Sequence, residues 1–326
     1  MTRRNQRETM RAGHARRAAE RAAREAYCGQ ISKLAVRSLL YEVCIGPKPG
    51  LVDRFNNGAH RDMNLFTFLD SACALSSYFR EITAQAMRHG RIPPERLLPH
   101  LRAPGIEAER EMFRATGGVN THKGIVYSMG IFCAACGLLY NQSHCVPVER
   151  LFSLCAKIAC GDHPPKEKTE TNGERLYRQY RIEGVRGEAA NGFPAARVHG
   201  LPALRKASAL GWDIDAAGIY ALFHIMANLE DTNLISRSDL QTQRQVREHL
   251  AALLQAPDLS PAMLLAEAAR MDQEFIRKNI SPGGAADMLS MTLMAWWLER
   301  EFPERFCPAA SDQMDESSGN EETSDI

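Results

Sequence analysis

HKGIVYSMGIFCAACGLLY, residues 122–140, sets Gly124, Ser128, Gly130, Ala134 and Gly137 into an otherwise apolar run. Its length and helical spacing predict an α-helix, and its small residues let neighbouring helices approach closely, which makes it an interior helix. Working outward, helical periodicity continues and strand alternation is almost absent. Ile31, Leu34, Ala35, Leu39 and Val43 form one stripe over 31–45, and Pro47 and Pro49 prevent its continuation. A second helix is predicted from Asn64 towards Gly90, and others over 106–115, 147–159, 173–182, 195–210, 213–229, 239–256, 261–279 and 284–301. No repeat of 20–50 residues is visible. The expectation is an all-α, single-domain multi-helix globule.

The chain has 326 residues, 44% of them hydrophobic and 24% charged, an ordinary globular composition. No apolar run has the roughly 18 residues that a membrane span needs. With no secretory h-region and an odd count of nine cysteines in apolar surroundings, the expected compartment is the cytosol. Residues 1–25 carry eight arginines against three glutamates, and 308–326 carry six acids with no lysine or arginine. The basic arm lacks aromatic residues to stack on bases and an apolar face to enter lipid, so neither nucleic acid nor membrane is the expected partner. The expected organisation is an Arg-rich extension over 1–25, a helical catalytic domain over 26–307 and an acidic disordered tail over 308–326. Residues 161–173 are the expected mobile loop.

Five polar clusters fall at helix ends: GPKPGLVDRFNNGAHRDM (46–63), GGVNTHKG (117–124), VRGEAANGFP (185–194), NLEDTNLISR (228–237) and NISPGGAAD (279–287). Each is individually explained as a helix cap. Five together imply a polar pocket built where helix ends converge. The glycines of GGVNTHKG and SPGGAAD suit backbone wrapped around phosphate, with His122 or Lys123 adding charge. Glu230, Asp231 and Asn233 share one turn, which suits a hard cation, or equally a simple N-cap at Asp231. The CxxC spacing of Cys133 and Cys136 has no second pair and reads as core, as do Trp296, Trp297 and His224. No Rossmann or P-loop pattern is present.

The clusters, in this order and spacing over residues 30–300, resemble the triphosphoribosyl-dephospho-CoA synthase family. That resemblance implies an all-helical enzyme that joins ATP to 3′-dephospho-CoA and releases adenine. The product, 2′-(5″-triphosphoribosyl)-3′-dephospho-CoA, is the prosthetic-group precursor for the acyl carrier of citrate lyase or malonate decarboxylase, passed on to a transferase that loads the carrier. The linkage at C1′ is implied to invert, and hence to form by one direct displacement. Where the family reads Arg-Gly-Gly, this chain reads Arg237-Ser238-Asp239.

Such chemistry needs a carboxylate to take the 2′-hydroxyl proton, a donor near the leaving adenine, and cations for the triphosphate. The candidates for the base are Glu188, Asp62 and Asp287; His122, with His60 behind it, is the candidate proton donor. Lys48, Gly118, Asn120, Thr121, Lys123, Arg186, Arg237, Gly283 and Gly284 are expected to hold ATP, and Asp231 with Asn233 to hold Mg²⁺. Rival readings are an ATP-dependent phosphotransferase, which would release ADP, and a helical protein that meets nucleic acid through its arm.

Overall fold

A computed structural model describes residues 3–142, 145–161 and 172–308. The expected mobile loop over 161–173 and the acidic tail lie almost wholly outside these residues. In chain order the helices are α1 (Arg3–Cys44), α2 (Leu65–Ala74), α3 (Ser76–Arg88), α4 (Leu98–Ala115), α5 (Lys123–Leu138), α6 (Val148–Ala159), α7 (Asn172–Tyr180), α8 (Gly184–Ala190), α9 (Leu201–Ala209), α10 (Ile214–Asn228), α11 (Thr232–Arg237), α12 (Leu240–Leu254), α13 (Pro261–Lys278) and α14 (Gly283–Glu301). A 3₁₀ turn over Pro94–Arg96 precedes α4, and a π turn over Ala195–Gly200 runs into α9. Two short strands, β1 (Val146–Pro147) and β2 (Phe306–Cys307), pair in parallel, Val146 opposite Phe306. The fold is all-α.

The interior is formed by α5, α10 and α14, whose apolar residues face inward all round rather than on one stripe. Helix α5 is the interior helix that its small residues predict. A Cβ on Gly130 would sit 2.1 Å from the Tyr78 hydroxyl, so only glycine lets α3 come this close. Phe132 and Phe152 meet edge to face across α5 and α6, ring centroids 5.2 Å apart. Each fully buried side chain of this kind contributes about 1.5–3 kcal/mol. Cys133 and Cys136 are fully buried, and burial raises both thiols well above the ordinary range, as packing residues require.

Helix α1 is longer than its apolar stripe. Residues 13–26 are exposed, and burial begins at Tyr27. Its inner half packs on α3 and α14, where Arg37 stacks 3.4 Å from the Trp297 ring centroid and pairs with Glu301 at 2.8 Å. The helix expected from Asn64 to Gly90 is two helices meeting at Leu75. Asn64 caps the first: its side chain accepts from Thr67 N, and Thr67 Oγ1 accepts from Asn64 N in return. Helices α8 and α11 occur where only polar turns are expected. They are short; the Asp231 cap starts α11, whereas α8 has no side-chain cap.

Candidate functional site

Loop 46–63 follows α1 and is held by carboxylates. Asp53 accepts from the backbone of Lys48 at 2.8 Å, Phe55 at 2.7 Å and Asn56 at 3.1 Å. Asp272 reaches in from α13 to accept from Gly50 N at 2.9 Å and from the Asn56 amide at 2.8 Å. Arg54 makes a two-pronged pair with Asp215, at 2.9 and 2.6 Å. Lys48, expected to hold ATP, instead points into the protein, 1% exposed. Its ammonium donates to the Glu42 carbonyl at 2.6 Å and to the Glu42 carboxylate. Burial raises the Glu42 carboxyl above its ordinary range, and Lys48 opposes that rise. Lys48 is thus a correction: its charge is already neutralised, because a buried ammonium without its carboxylate would be far costlier.

Asp231 is the N-cap of α11. One oxygen accepts from Asn233 N at 2.8 Å and Leu234 N at 3.1 Å; the other accepts from Ala285 N at 2.8 Å, in the first turn of α14. One carboxylate therefore caps two helices, so the residue expected to hold metal already has both oxygens engaged by backbone N–H groups. Gly283 and Gly284 permit the approach: a Cβ on either would come 3.0 Å from Asn233 Nδ2 or Asp231 Oδ1. Helix packing therefore gives these two glycines a use of their own. Asn233 is exposed, and among the described residues nothing bonds to its side chain.

One turn further along α14, Asp287 lies against the first turn of α5, where a Cβ on Gly124 would sit 2.0 Å from its Oδ2. Nothing among the described residues donates a hydrogen bond to it. Burial, then the charges of Glu42 and Asp231, push its carboxyl well above the usual range. Three carboxylates, Glu42, Asp231 and Asp287, thus share a neighbourhood with one ammonium, Lys48.

The turn before α5 is open. Gly117 and Gly118 have φ of 64° and 93°, with empty space where side chains would stand. Asn120 Oδ1 accepts from Lys123 N at 3.2 Å. Thr121 Oγ donates to Ser71 Oγ at 2.7 Å, and Ser71 Oγ lies 2.7 Å from His122 Nδ1. His122 Nε2 is buried without a partner. Burial, then Lys48, lowers this imidazole to about 3, so it stays neutral and the expectation of a protonated acid is corrected. Lys123 is exposed, 3.5 Å from Glu109 Oε2.

The other expected residues lie around this group or apart from it. Arg237 donates to the Ala59 carbonyl at 3.2 Å, to Asn279 Oδ1 at 3.3 Å and to His60 Nδ1 at 3.3 Å. An arginine only donates, so Nδ1 of His60 accepts and Nε2–H faces Ser281 Oγ, 2.9 Å away. Burial, then Arg237, lowers the His60 pKa. Asp62 is 64% exposed and lies 3.9 Å from His60. Glu188 and Arg186 sit on α8, against α6 and α5. Glu188 accepts from Ala195 N at 3.1 Å, and burial raises it to about 6; no described contact joins it to the carboxylate group. Where the family pattern has glycines, Asp239 caps α12 by accepting from Thr242 N at 2.7 Å, so the departure is absorbed as a helix cap.

Sequence reasoning missed Glu42, Ser71 and Asp272. Glu42 carried a signal, a carboxylate beside Leu39 and Val43 on an apolar stripe. The other two carried none that a local pattern could reveal. Among the described residues no group of three or more His, Cys, Asp or Glu side chains is set to hold a metal, and no helix is long and apolar enough to cross a membrane.

A family model described as CitG, ATP:dephospho-CoA triphosphoribosyl transferase, matches residues 28–306. The chain is 40% identical over 275 residues to a probable 2-(5''-triphosphoribosyl)-3'-dephosphocoenzyme-A synthase of Albidiferax ferrireducens, covering 82% of this chain and 89% of that protein. It is 39% identical over 280 residues to the 2-(5''-triphosphoribosyl)-3'-dephosphocoenzyme-A synthase of Pectobacterium atrosepticum, covering 84% and 89%. A probable synthase of the same name from Streptococcus equi subsp. equi is 39% identical over 288 residues, covering 83% and 97%. No solved structure matches the chain.

Proposed function

The chain belongs to the ATP:dephospho-CoA triphosphoribosyl transferase family, and from that premise we propose that Asp287 is the base of the transfer it performs. The enzyme moves the triphosphoribosyl group of ATP to the 2′-hydroxyl of 3′-dephospho-CoA and forms 2′-(5″-triphosphoribosyl)-3′-dephospho-CoA. The bond formed joins the hydroxyl oxygen to ribose C1′; the bond broken is that from C1′ to adenine, which leaves with the electron pair. As the bond forms, the hydroxyl proton passes to a carboxylate, and adenine takes up a proton as it departs. The reacting sugar gains oxocarbenium character, which nearby negative charge stabilises.

The observation that carries the reading is the unbonded Asp287 carboxylate at the first turn of α5. With no donor to stabilise its ionised form and with Glu42 and Asp231 beside it, it is a stronger base than an ordinary aspartate. Burial raises the Asp231 carboxyl too, but backbone N–H groups hold its oxygens and oppose that rise; Asp62 is 64% exposed. The open backbone of Gly117 and Gly118, the exposed Lys123 and the exposed Asn120 are suited to the triphosphate, which carries a charge of about −4 and needs several donors. Arg237 and His60 brace the rim between loop 46–63 and α14.

The donor set fits Mg²⁺. Asn233 and Glu230 offer hard oxygens, exposed and without hydrogen bonds among the described residues, and Mg²⁺ usually takes one or two protein oxygens besides phosphates and water. When bound it would neutralise triphosphate charge. The chemistry is assigned to 26–307, outside the arm and the tail, in the cytosol, and the product goes to a transferase that loads a carrier protein. Chromatography of a reaction with ATP, Mg²⁺ and dephospho-CoA tests the reading: adenine is the expected purine, and ADP would replace the reading with phosphoryl transfer. Asp287→Asn should abolish adenine release in a folded protein, and full activity would remove Asp287 from the role.

A further inference from the structure

The geometry points to Ser71 as a positioning residue that locks His122 into the tautomer bearing its proton on Nε2, so that this N–H meets the departing adenine. The inference rests on the transfer reaction proposed above and adds to it a residue outside every polar cluster of the sequence.

The argument is an accounting of protons. Ser71 Oγ, on the inner face of α2 and fully buried, has two polar neighbours among the described residues: Thr121 Oγ at 2.7 Å and His122 Nδ1 at 2.7 Å. Thr121 donates to Ser71. The Ser71 proton then has one place to go, the Nδ1 lone pair, because a buried hydroxyl left undonated costs about 1–3 kcal/mol. A neutral imidazole that accepts at Nδ1 carries its hydrogen on Nε2. That nitrogen is buried and meets no acceptor, in a side chain only 3% exposed. The protein therefore orients a donor and leaves it unpaired.

The surroundings indicate what pairs with it. The Phe68 ring stands edge to face with the imidazole, centroids 5.1 Å apart. Phe68 in turn belongs, with Leu65, Leu69 and Val119, to a partly buried apolar shelf packed on Val43, Val52 and Met63. A flat heterocycle with ring-nitrogen acceptors is the ligand that an apolar shelf plus one fixed N–H would take. Adenine has such nitrogens, and they gain electron density as the bond to C1′ breaks. A preorganised donor aimed at that density is worth more in the transition state than in bound ATP. Ser71 touches neither substrate, so its part is to hold the donor.

The test combines spectroscopy with kinetics on the whole chain. In ¹⁵N-histidine-labelled enzyme, with the His122 signals assigned by their loss in His122→Asn, the proton is expected on Nε2 and Nδ1 is expected to be unprotonated. Ser71→Ala should move the tautomer towards Nδ1–H and lower kcat about 10- to 100-fold, with KM for ATP changed less than about threefold. Ser71→Thr, which keeps the hydroxyl, should restore the Nε2–H signature and most of kcat. A wild-type proton on Nδ1 overturns the proposal. So does Ser71→Ala that changes the tautomer without changing kcat, or lowers kcat without changing the tautomer. If the wild type releases no adenine at all, the transfer reading fails, and so does the role given to Nε2–H; the tautomer itself is still decided by the spectrum.

Discussion

Loop 46–63 and the turn 117–124 are alike in composition, both rich in glycine, amides and charge, yet they dispose of their polar groups in opposite ways. In the loop, Asp53 and Asp272 take up backbone and amide donors, Arg54 is paired with Asp215, and Lys48 is buried on Glu42. The turn leaves His122 Nε2 without a partner, Gly117 and Gly118 facing empty space, and Lys123 exposed, 3.5 Å from Glu109. Facing the turn, Asp287 is equally unengaged. A polar cluster that satisfies itself is scaffold. One that leaves donors and acceptors unspent, at a cost in stability, is where a ligand completes the bonding.

The strongest way to break this contrast is Asp287→Asn. The expected outcome is a loss of about 10³-fold in kcat, with a melting temperature equal to or above that of the wild type, since a like charge beside Glu42 and Asp231 is removed. A fall in melting temperature to match the activity would move Asp287 into the scaffold. Lys48→Met should do the converse, destabilising the fold by about 3 kcal/mol by leaving Glu42 buried and unpaired. Denaturant titration measures it, and adding Glu42→Gln should recover part of the loss.

Asp231→Asn sharpens the division inside one turn. An amide offers one acceptor oxygen where the carboxylate offers two, so the caps of α11 and α14 cannot both survive. A loss of about 2 kcal/mol is expected, with the Mg²⁺ midpoint for activity unchanged; a shifted midpoint and unchanged stability would return Asp231 to the metal. Glu188→Gln tests a carboxylate outside the group. Its folded-state pKa is raised from 4.5 to about 6, so its contribution is complete below about pH 4.5 and is lost as pH rises through about 6. The variant should therefore gain about 1–2 kcal/mol relative to wild type across that window, while its turnover stays near normal. Lys123→Ala has the smallest expected effect, a rise in KM for ATP of about threefold or less, because an exposed ammonium contributes under about 1 kcal/mol.

How much of this the sequence reveals depends on how far apart the partners lie. Helices α5, α10, α13 and α14 are legible to within a residue or two because their apolar spacing is long and regular. The break at Leu75, the π turn before α9 and the short helices α8 and α11 are not, since caps and tertiary contacts decide them. Asp287 and His122 stand in polar motifs and are named from sequence alone. Ser71 is hidden because its partner His122 is 51 residues away, and Asp272 because Gly50 is 222 residues away. Lys48 is misread for a different reason: prolines on both sides suggest an exposed loop, whereas Glu42, six residues earlier, draws the ammonium inward.

The joining of loop 46–63 to the start of α14 also has a consequence for the order of events at the ribosome. His60 and Ser281 are 221 residues apart in sequence, an interval that takes about 10–45 s to translate at roughly 5–20 residues per second. Until α14 emerges, α1 has α2, α3 and α5 to pack on but not α14, and Asp287 has not yet been made. A nascent chain therefore holds one half of the site without the other. With Asp287 as the proposed base, such a nascent chain is expected to release no adenine from ATP.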